Sequence, residues 1–198
     1  MNKRGKSKAE RRNLLVNTAI ECFIRNGIHK TGIREIAKEA NVSLGNMYNH
    51  FSSKHELIAE IATLDKRDLE LIIKELNSNE DTYIAISKFI DNYLDYVSVF
   101  ENAVLTIDII AESIRNPIVA EQFESNRQNL CDALTITIKK GISENVMRDQ
   151  ISVDDTAKLL LDAIEGLGLR IGLAQIKPSK VERTTLQELI LRMISLGP

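Results

Sequence analysis

The sequence predicts an all-α protein, because apolar side chains recur every three or four positions along nearly the whole chain. That spacing is the period of an amphipathic helix. Alternating β-branched runs between turn clusters, which are typical of half-buried strands, do not occur. Only three prolines and nine glycines interrupt the 198 residues. We therefore expect helices throughout, joined by short polar connections.

Nine helices follow from the positions of caps and breaks. Gly27 ends the first, because glycine adopts the left-handed conformation of a C-cap, and Pro117 ends the sixth, because the residue before a proline is driven out of the helical region. Ser53 and Ser179 each precede a glutamate by three positions, which is the spacing of a capping box. The predicted helices span Ala9–Asn26, Gly32–Ala40, Leu44–Phe51, Lys54–Asn77, Asp81–Val99, Glu101–Arg115, Ile118–Ser143, Ser152–Gln175 and Ser179–Leu196.

The net charge of -2 conceals an uneven distribution of charge. Residues 1–58 carry eleven basic and five acidic side chains, whereas the remaining 140 residues carry 15 basic and 23 acidic ones. A basic N-terminal quarter on an acidic body indicates that one end of the protein meets a polyanion. Residues 1–8 are either a solvated basic tail or an arm that lies on the phosphates or in a minor groove of DNA.

Several sequence features that are absent limit the cellular compartment and the chemical activity that we expect of the protein. Cys22 and Cys131 lie in apolar helical patterns, so we expect buried thiols. The basic N-terminus runs into no signal-peptide core, and no window approaches the ~18 unbroken apolar residues of a membrane span, so we expect a cytoplasmic protein. His29, His50 and His55 have no metal-binding spacing with the cysteines, and no Ser-His-Asp pattern occurs. We expect no metal, no cofactor and no enzymatic activity.

The stretch from Thr31 to Lys54 predicts a helix, a tight turn and a second short helix. Asn41 tolerates a turn conformation, and the Ser43 hydroxyl can accept from the amides that begin the next helix. In that helix, Met47 and Phe51 lie four positions apart and are expected to be buried together. The opposite face would present polar groups that suit a groove better than a core. It consists of Gly45, Asn46, Tyr48, Asn49 and His50.

This arrangement resembles the DNA-binding head of TetR-family transcriptional regulators. The matching pattern covers about residues 10–60: a basic helix ending in Asn-Gly, then TGIREIAKEANVSLGNMYNHF and S-K-x-x-L. The resemblance implies a homodimer whose third helices enter successive major grooves of a palindromic operator, and a small-molecule inducer that releases it. The DNA contacts that it implies are those of Thr31, Arg34, Ser43, Leu44, Gly45, Asn46, Tyr48, Asn49, His50 and Lys54.

Two positions depart from the family pattern. Gly32 stands where Thr or Ser is common, which removes a hydroxyl that could cap the second helix and touch a phosphate. Leu44 stands where many members carry Lys, Arg or Pro, so a basic contact is absent or a thymine methyl is met instead. The operator sequence is consequently not readable from this helix.

The resemblance implies a transcriptional repressor with two domains. Residues 1–54 would form the DNA-binding helix-turn-helix head with its basic arm, and residues 55–198 the helical ligand-binding and dimerisation domain. The alternative is a DNA- or protein-interaction module on the same scaffold that responds to no small molecule.

In the body, the candidate ligand site consists of Phe89, Tyr93, Tyr96, Phe100, Asp108, Glu112 and Phe123. The first four recur at helical spacing on the fifth predicted helix, and such aromatic stripes usually pack as core. Asp108 and Glu112 lie four positions apart in an apolar segment, where burial of a carboxylate without a partner is costly. They reach solvent, form ion pairs with Arg115 or Arg170, or face a cavity that takes a cationic ligand.

The last two predicted helices carry apolar residues that form either an ordinary intrachain core or, as the resemblance implies, a four-helix interface between two copies. Two-fold symmetry is required independently if two reading helices are to span one DNA turn, ~34 Å. Gly166, Gly168 and Gly172 would let helices approach closely. The candidate interface residues are Leu160, Ile164, Leu167, Gly168, Ile171, Leu186, Leu189, Ile190 and Met193.

Overall fold

The computed structural model describes residues 8–76, 81–149 and 152–196, which form nine α-helices and no β-strand. The all-α prediction is confirmed, and every predicted helix is present with ends shifted by three residues or fewer. The helices are α1 Lys8–Asn26, α2 Ile33–Glu39, α3 Leu44–Tyr48, α4 Lys54–Leu76, α5 Thr82–Val97, α6 Phe100–Ser113, α7 Pro117–Ser143, α8 Val153–Leu173 and α9 Lys180–Ile194.

Two predicted segments fall outside the described residues. The basic arm expected over residues 1–8 lies there except for its last residue, which begins α1. The polar break expected between the fourth and fifth helices lies there over residues 77–80.

Caps set the ends of several helices as the sequence predicts. Gly27 follows α1 with a φ of 85°, and its amide donates to the Phe23 carbonyl at 2.7 Å. The capping box at α9 is complete, because the Ser179 hydroxyl accepts from the Glu182 amide and the Glu182 carboxylate accepts from the Ser179 amide. The backbone and hydroxyl hydrogen bonds from Ser179 lower the pKa of Glu182.

The capping box predicted for α4 forms differently. The Ser53 hydroxyl accepts from the Glu56 amide at 3.2 Å, as expected. The Glu56 carboxylate, however, accepts from the amide and the hydroxyl of Ser52, at 2.7 and 2.8 Å. The prediction was wrong about the serine that the glutamate reaches, because Ser52 offers two donors to one carboxylate oxygen. These two hydrogen bonds lower the pKa of Glu56.

The described chain folds into two compact units, of which the first takes its residues from 8–65 and 105–123. Its core joins α1, α2, α3, the first half of α4 and parts of α6 and α7. The largest side chains at its centre are fully buried: Leu15, Phe23, Ile36, Met47, Phe51, Leu57 and Ile58. The boundary expected at residue 54 falls inside this unit, and the functional division into head and body stays a prediction.

The second unit takes its described residues from 66–104 and 124–196. Its core is built around α5 and α8, which pack closely because two glycines of α8 meet the end of α5. A Cβ at Gly168 would lie 2.2 Å from Cγ2 of Val97, and one at Gly172 would lie 3.0 Å from the Ser98 carbonyl oxygen. These glycines therefore serve a contact within the protomer, whereas Gly166 faces open space.

Cys22 and Cys131 are free and buried, as predicted, and burial raises the pKa of both thiols. Among the helices of the described residues, none is long and apolar enough to cross a membrane.

Candidate nucleic-acid interface

The turn between α2 and α3 is built from the residues that the sequence predicts. Asn41 adopts a positive φ of 53°, which asparagine tolerates better than other non-glycine residues. The Val42 amide closes the end of α2 by donating to the Ala37 carbonyl at 2.9 Å. Ser43 then caps α3, and its hydroxyl accepts from the Asn46 amide at 3.1 Å. Gly32 caps α2 without a side-chain hydrogen bond, as expected for a residue that lacks a hydroxyl.

Helix α3 has one buried and one exposed face. Met47 is fully buried, and so is Phe51, which follows the helix after the Asn49 C-cap. The face that points away from the core presents Ser43, Gly45, Tyr48 and Asn49 to solvent. Because no side chain projects from Gly45, a groove wall could approach the helix backbone there. Helix α3 is thus anchored through its buried face, and its opposite face is exposed to solvent.

Four of the predicted contact residues are half-buried: Leu44, Asn46, His50 and Lys54. The Oδ1 of Asn46 and the Nδ1 of His50 are buried and have no hydrogen-bond partner among the described residues. Burial, together with the positive charges of Lys8, Arg12 and Arg11, lowers the pKa of His50. The neutral form of the imidazole is therefore favoured in the protein without DNA.

Basic side chains flank the N-terminal end of α3. Arg34 and Lys38 are both exposed and lie four positions apart on α2. They line an open depression that continues onto Ser43 and Leu44. The sequence pattern indicated Arg34 as a phosphate contact but not Lys38, although their i, i+4 spacing places them on one helix face. Two cations beside a helix that presents amides and a phenol suit a duplex, in which phosphates flank the groove.

The connection between α1 and α2 is held by charged side chains at both polar groups of Ile28. The Lys54 ammonium donates to the Ile28 carbonyl at 2.9 Å and to the Thr31 carbonyl at 3.4 Å. The Asp108 carboxylate accepts from the Ile28 amide at 3.1 Å. Ile28 is buried, so each of these groups would cost free energy if it were left without a partner.

These contacts change the role that the sequence assigns to two residues. Thr31 is fully buried, and its hydroxyl donates to the Gly27 carbonyl at 2.8 Å, so it does not reach a surface where a phosphate could bind. Lys54 binds carbonyl oxygens, so the phosphate contact predicted for it requires its ammonium to turn outward. In this structure both residues hold the connection that positions α2.

The head matches a known family over the segment that contains all of these contacts except that of Asp108. Residues 15–61 match the family model described as bacterial regulatory proteins, tetR family. The chain belongs to the TetR family. It is accordingly a DNA-binding transcriptional regulator with a helix-turn-helix, formed by α2 and α3.

Relatives extend this similarity beyond the head. The HTH-type transcriptional regulator UidR of Escherichia coli K12 is 25% identical over 157 residues, which cover 79% of each chain. The "Probable acrEF/envCD operon repressor" of the same strain is 27% identical over 164 residues, covering 77% of this chain and 74% of that protein. A transcriptional regulator from Saccharomonospora viridis, solved in complex with choline, has a TM-score of 0.81 at 23% identity and covers 96% and 100% of the two chains. This last likeness shows that the TetR fold extends over both units.

The candidate ligand residues of this TetR-family chain divide between the two units. Phe89, Tyr93, Tyr96 and Phe100 lie in the second unit, and Asp108, Glu112 and Phe123 lie in the first. The rings of Phe89 and Tyr93 stack at 5.5 Å between centroids within the core, which is the packing role that the sequence favours for the stripe. Phe100 begins α6, so it does not belong to the fifth helix as predicted.

A polar network beside these rings was not predicted from the sequence. The Tyr93 hydroxyl donates to the Glu165 carboxylate at 2.7 Å, and the Arg127 guanidinium donates to the same carboxylate at 3.1 Å. These residues come from α5, α8 and α7, which are far apart in sequence, so no local spacing could have indicated the network.

The carboxylates on α6 have different surroundings. Asp108 is half-buried and satisfied by the Ile28 amide, so it forms a structural hydrogen bond and not an ion pair with Arg115 or Arg170. Glu112 is only 8% exposed, and its Oε2 has no hydrogen-bond partner among the described residues. Of the two, Glu112 has the free hydrogen-bonding capacity that a ligand could use.

Most of the candidate interface residues lie inside the protomer. Burial makes six of them unavailable to a second copy: Leu160, Ile164, Gly168, Ile171, Leu186 and Ile190. Leu167 is half-buried, while Leu189 and Met193 are exposed. The intrachain core, which the sequence left open as the alternative, accounts for the six buried residues.

We predict that Asn49→Ala lowers affinity for a specific operator about tenfold or more, because an amide that reads a base edge contributes about 1–3 kcal/mol of discrimination. Affinity for unrelated DNA should change little, since Asn49 carries no charge. The comparison is made by fluorescence anisotropy on DNA selected by the wild-type protein and on a scrambled duplex. Asn17→Ala, at an exposed asparagine of α1, is the control. Equal weakening on both duplexes would contradict base reading by Asn49.

Proposed function

We propose that this protein represses transcription by binding a palindromic operator as a homodimer and leaves that operator when a small molecule binds its body. The observation that carries the proposal is the face of α3 that presents Gly45, Tyr48 and Asn49 to solvent above a fully buried Met47. Nothing in the described fold of the protomer packs against that face. Repression is supported by the relative named as a probable operon repressor.

Dimerisation is supported by apolar residues that the protomer leaves exposed on its last two helices. On α8, Leu159, Ala163, Gly166 and Leu173 share one helix face and are exposed. On α9, Leu189 and Met193 lie four positions apart and are exposed. Gly166 has open space where a side chain would stand, so another helix could approach closely there. We propose that these residues, rather than the buried ones, contact the second copy.

We predict that Leu189→Glu produces a folded monomer, because Leu189 is 63% exposed in the protomer and a buried charge would oppose an apolar interface. Affinity for a two-half-site operator should then fall about 100-fold or more, since the two heads no longer bind together. Sedimentation velocity and anisotropy measure the two effects. Leu71→Glu, at a residue of α4 that is 61% exposed, is the matched control and should remain dimeric. A dimeric Leu189→Glu protein would place the interface elsewhere.

The inducer is proposed to carry a positive charge. Glu112 is buried, and one of its carboxylate oxygens lacks a partner, an arrangement that costs free energy unless a cation or a donor arrives. A regulator of the same fold from Saccharomonospora viridis is in complex with choline, a quaternary ammonium compound. These two observations support an ammonium-bearing small molecule as the ligand class.

A route from the ligand to the DNA-reading head is supported by the position of Glu112 on α6. Asp108 lies one helical turn before it, and its carboxylate holds the Ile28 amide at the start of the connection to α2. Lys54, the first residue of α4, holds the Ile28 carbonyl. A ligand that favours a different position of α6 would therefore act on the segment that positions α2 and α3.

We predict that choline, used as the probe cation, binds the wild-type protein and lowers its affinity for operator DNA. Glu112→Gln should weaken choline binding about tenfold or more, because the amide removes the buried negative charge. Its operator affinity without choline should stay unchanged, and its melting temperature should rise. Calorimetry, anisotropy and thermal melts measure these effects. Glu101→Gln, at an exposed glutamate in the first turn of α6, is the control. Release of DNA by choline at the same concentration in Glu112→Gln would contradict the charge pairing.

A further inference from the structure

Arg12 on α1 contacts both the chain just after α3 and helix α4. Its Nη1 donates to the His50 carbonyl at 2.7 Å, and its Nη2 donates to Glu60 Oε2 at 2.7 Å. Its Cζ lies 4.2 Å from the centroid of the Phe51 ring. The Glu56 carboxylate approaches Nη1 at 3.9 Å as a second negative charge. One side chain thus joins α1, the end of the reading helix and α4.

These contacts use the shape of the guanidinium as well as its charge. The guanidinium carbon lies over the Phe51 ring, while the two Nη groups donate to a carbonyl and a carboxylate. An ammonium on a flexible stem could supply the charge but not a plane with two divergent donors. Phe51 is fully buried, so its ring is a fixed surface for this cation–π contact.

The His50 carbonyl and the Phe51 ring, which Arg12 contacts, lie at the C-terminal end of α3. His50 and Phe51 follow directly after the Asn49 C-cap of a five-residue helix. A helix that short has too few internal hydrogen bonds to hold itself in place, so its direction depends on what anchors its ends. Ser43 caps the first end, and the Arg12 contacts hold the other.

We propose that Arg12 is a positioning residue for DNA reading, which sets the angle of α3 without contacting DNA itself. Both of its Nη groups donate to protein oxygens and its charge is paired with the Glu60 carboxylate, so these contacts direct the guanidinium toward the head. The inference rests on DNA binding through α3 and adds the residue that holds α3 for this purpose.

The proposal and simple electrostatics predict opposite changes in DNA affinity when the charge of Glu60 is removed. Removing a negative charge from a DNA-binding head should raise its affinity for DNA if charge alone matters. If Glu60 instead holds Arg12 in place, Glu60→Gln should lower affinity for the operator. Glu21→Gln removes the same charge from an exposed position of α1 and is the matched control.

The test measures the full-length protein on DNA that the wild type selects from a random pool and on a scrambled duplex, over a range of salt concentrations. Arg12→Gln and Arg12→Lys should each lower operator affinity roughly tenfold or more, the loss expected when a charge-assisted hydrogen bond no longer fixes the bound geometry. Neither should change the slope of log affinity against log salt. Arg34→Gln, at a predicted phosphate contact, should reduce that slope by about 1.

Three outcomes would overturn the proposal. A slope reduced by about 1 in Arg12→Gln would make Arg12 a phosphate contact. Full operator affinity in Arg12→Lys would show that its charge suffices. Unchanged or raised affinity in Glu60→Gln would remove the positioning pair, and this variant decides the matter if the Arg12 variants do not fold. Loss of sequence preference in the wild type itself would count against the proposed function and not against Arg12.

Discussion

The main-chain amide and carbonyl of Ile28 are each bound by a charged side chain, and the position of the DNA-reading motif depends on this pair of contacts. Asp108 comes from α6 and Lys54 from the start of α4, so three separate parts of the first unit meet at one buried residue. A buried amide or carbonyl costs free energy when its partner leaves. The connection that leads into α2 is therefore firm while both contacts persist, and it is sensitive to any displacement of α6.

The reading surface itself is small and gains its precision from its supports. Helix α3 has five residues, too few to be stable alone, and is fixed by the Ser43 cap, by the buried Met47 and by the contacts of Arg12 with the residues that follow. Its exposed groups are uncharged, so affinity for DNA has to come from neighbouring cations such as Arg34. In the proposed complex with DNA, α3 supplies sequence preference and α2 supplies attraction to phosphates.

The fold was predictable from the sequence because its signals are local. Gly27, Asn41 and Ser43 act within a few residues of their positions, and the structure reproduces all three. The contacts of Lys54, Asp108 and Arg12 were not predictable, since each joins residues 26 to 80 positions apart. The same limit explains why most of the candidate interface residues are core residues of the protomer. Helix α8 is apolar on more than one face, and spacing alone does not tell which face the protomer buries. The sequence motif identified the residues of α3, its Ser43 cap and its buried Met47, but not the Arg12 contact with the residue that follows its C-cap.

The central claim is that two copies of this protein read an inverted repeat through α3. Selection of bound DNA from a random pool by the full-length protein tests it most directly. The account predicts two inverted half-sites whose centres lie one helical turn apart, ~34 Å. Recovery of a single half-site, or of DNA without any preferred sequence, would contradict it.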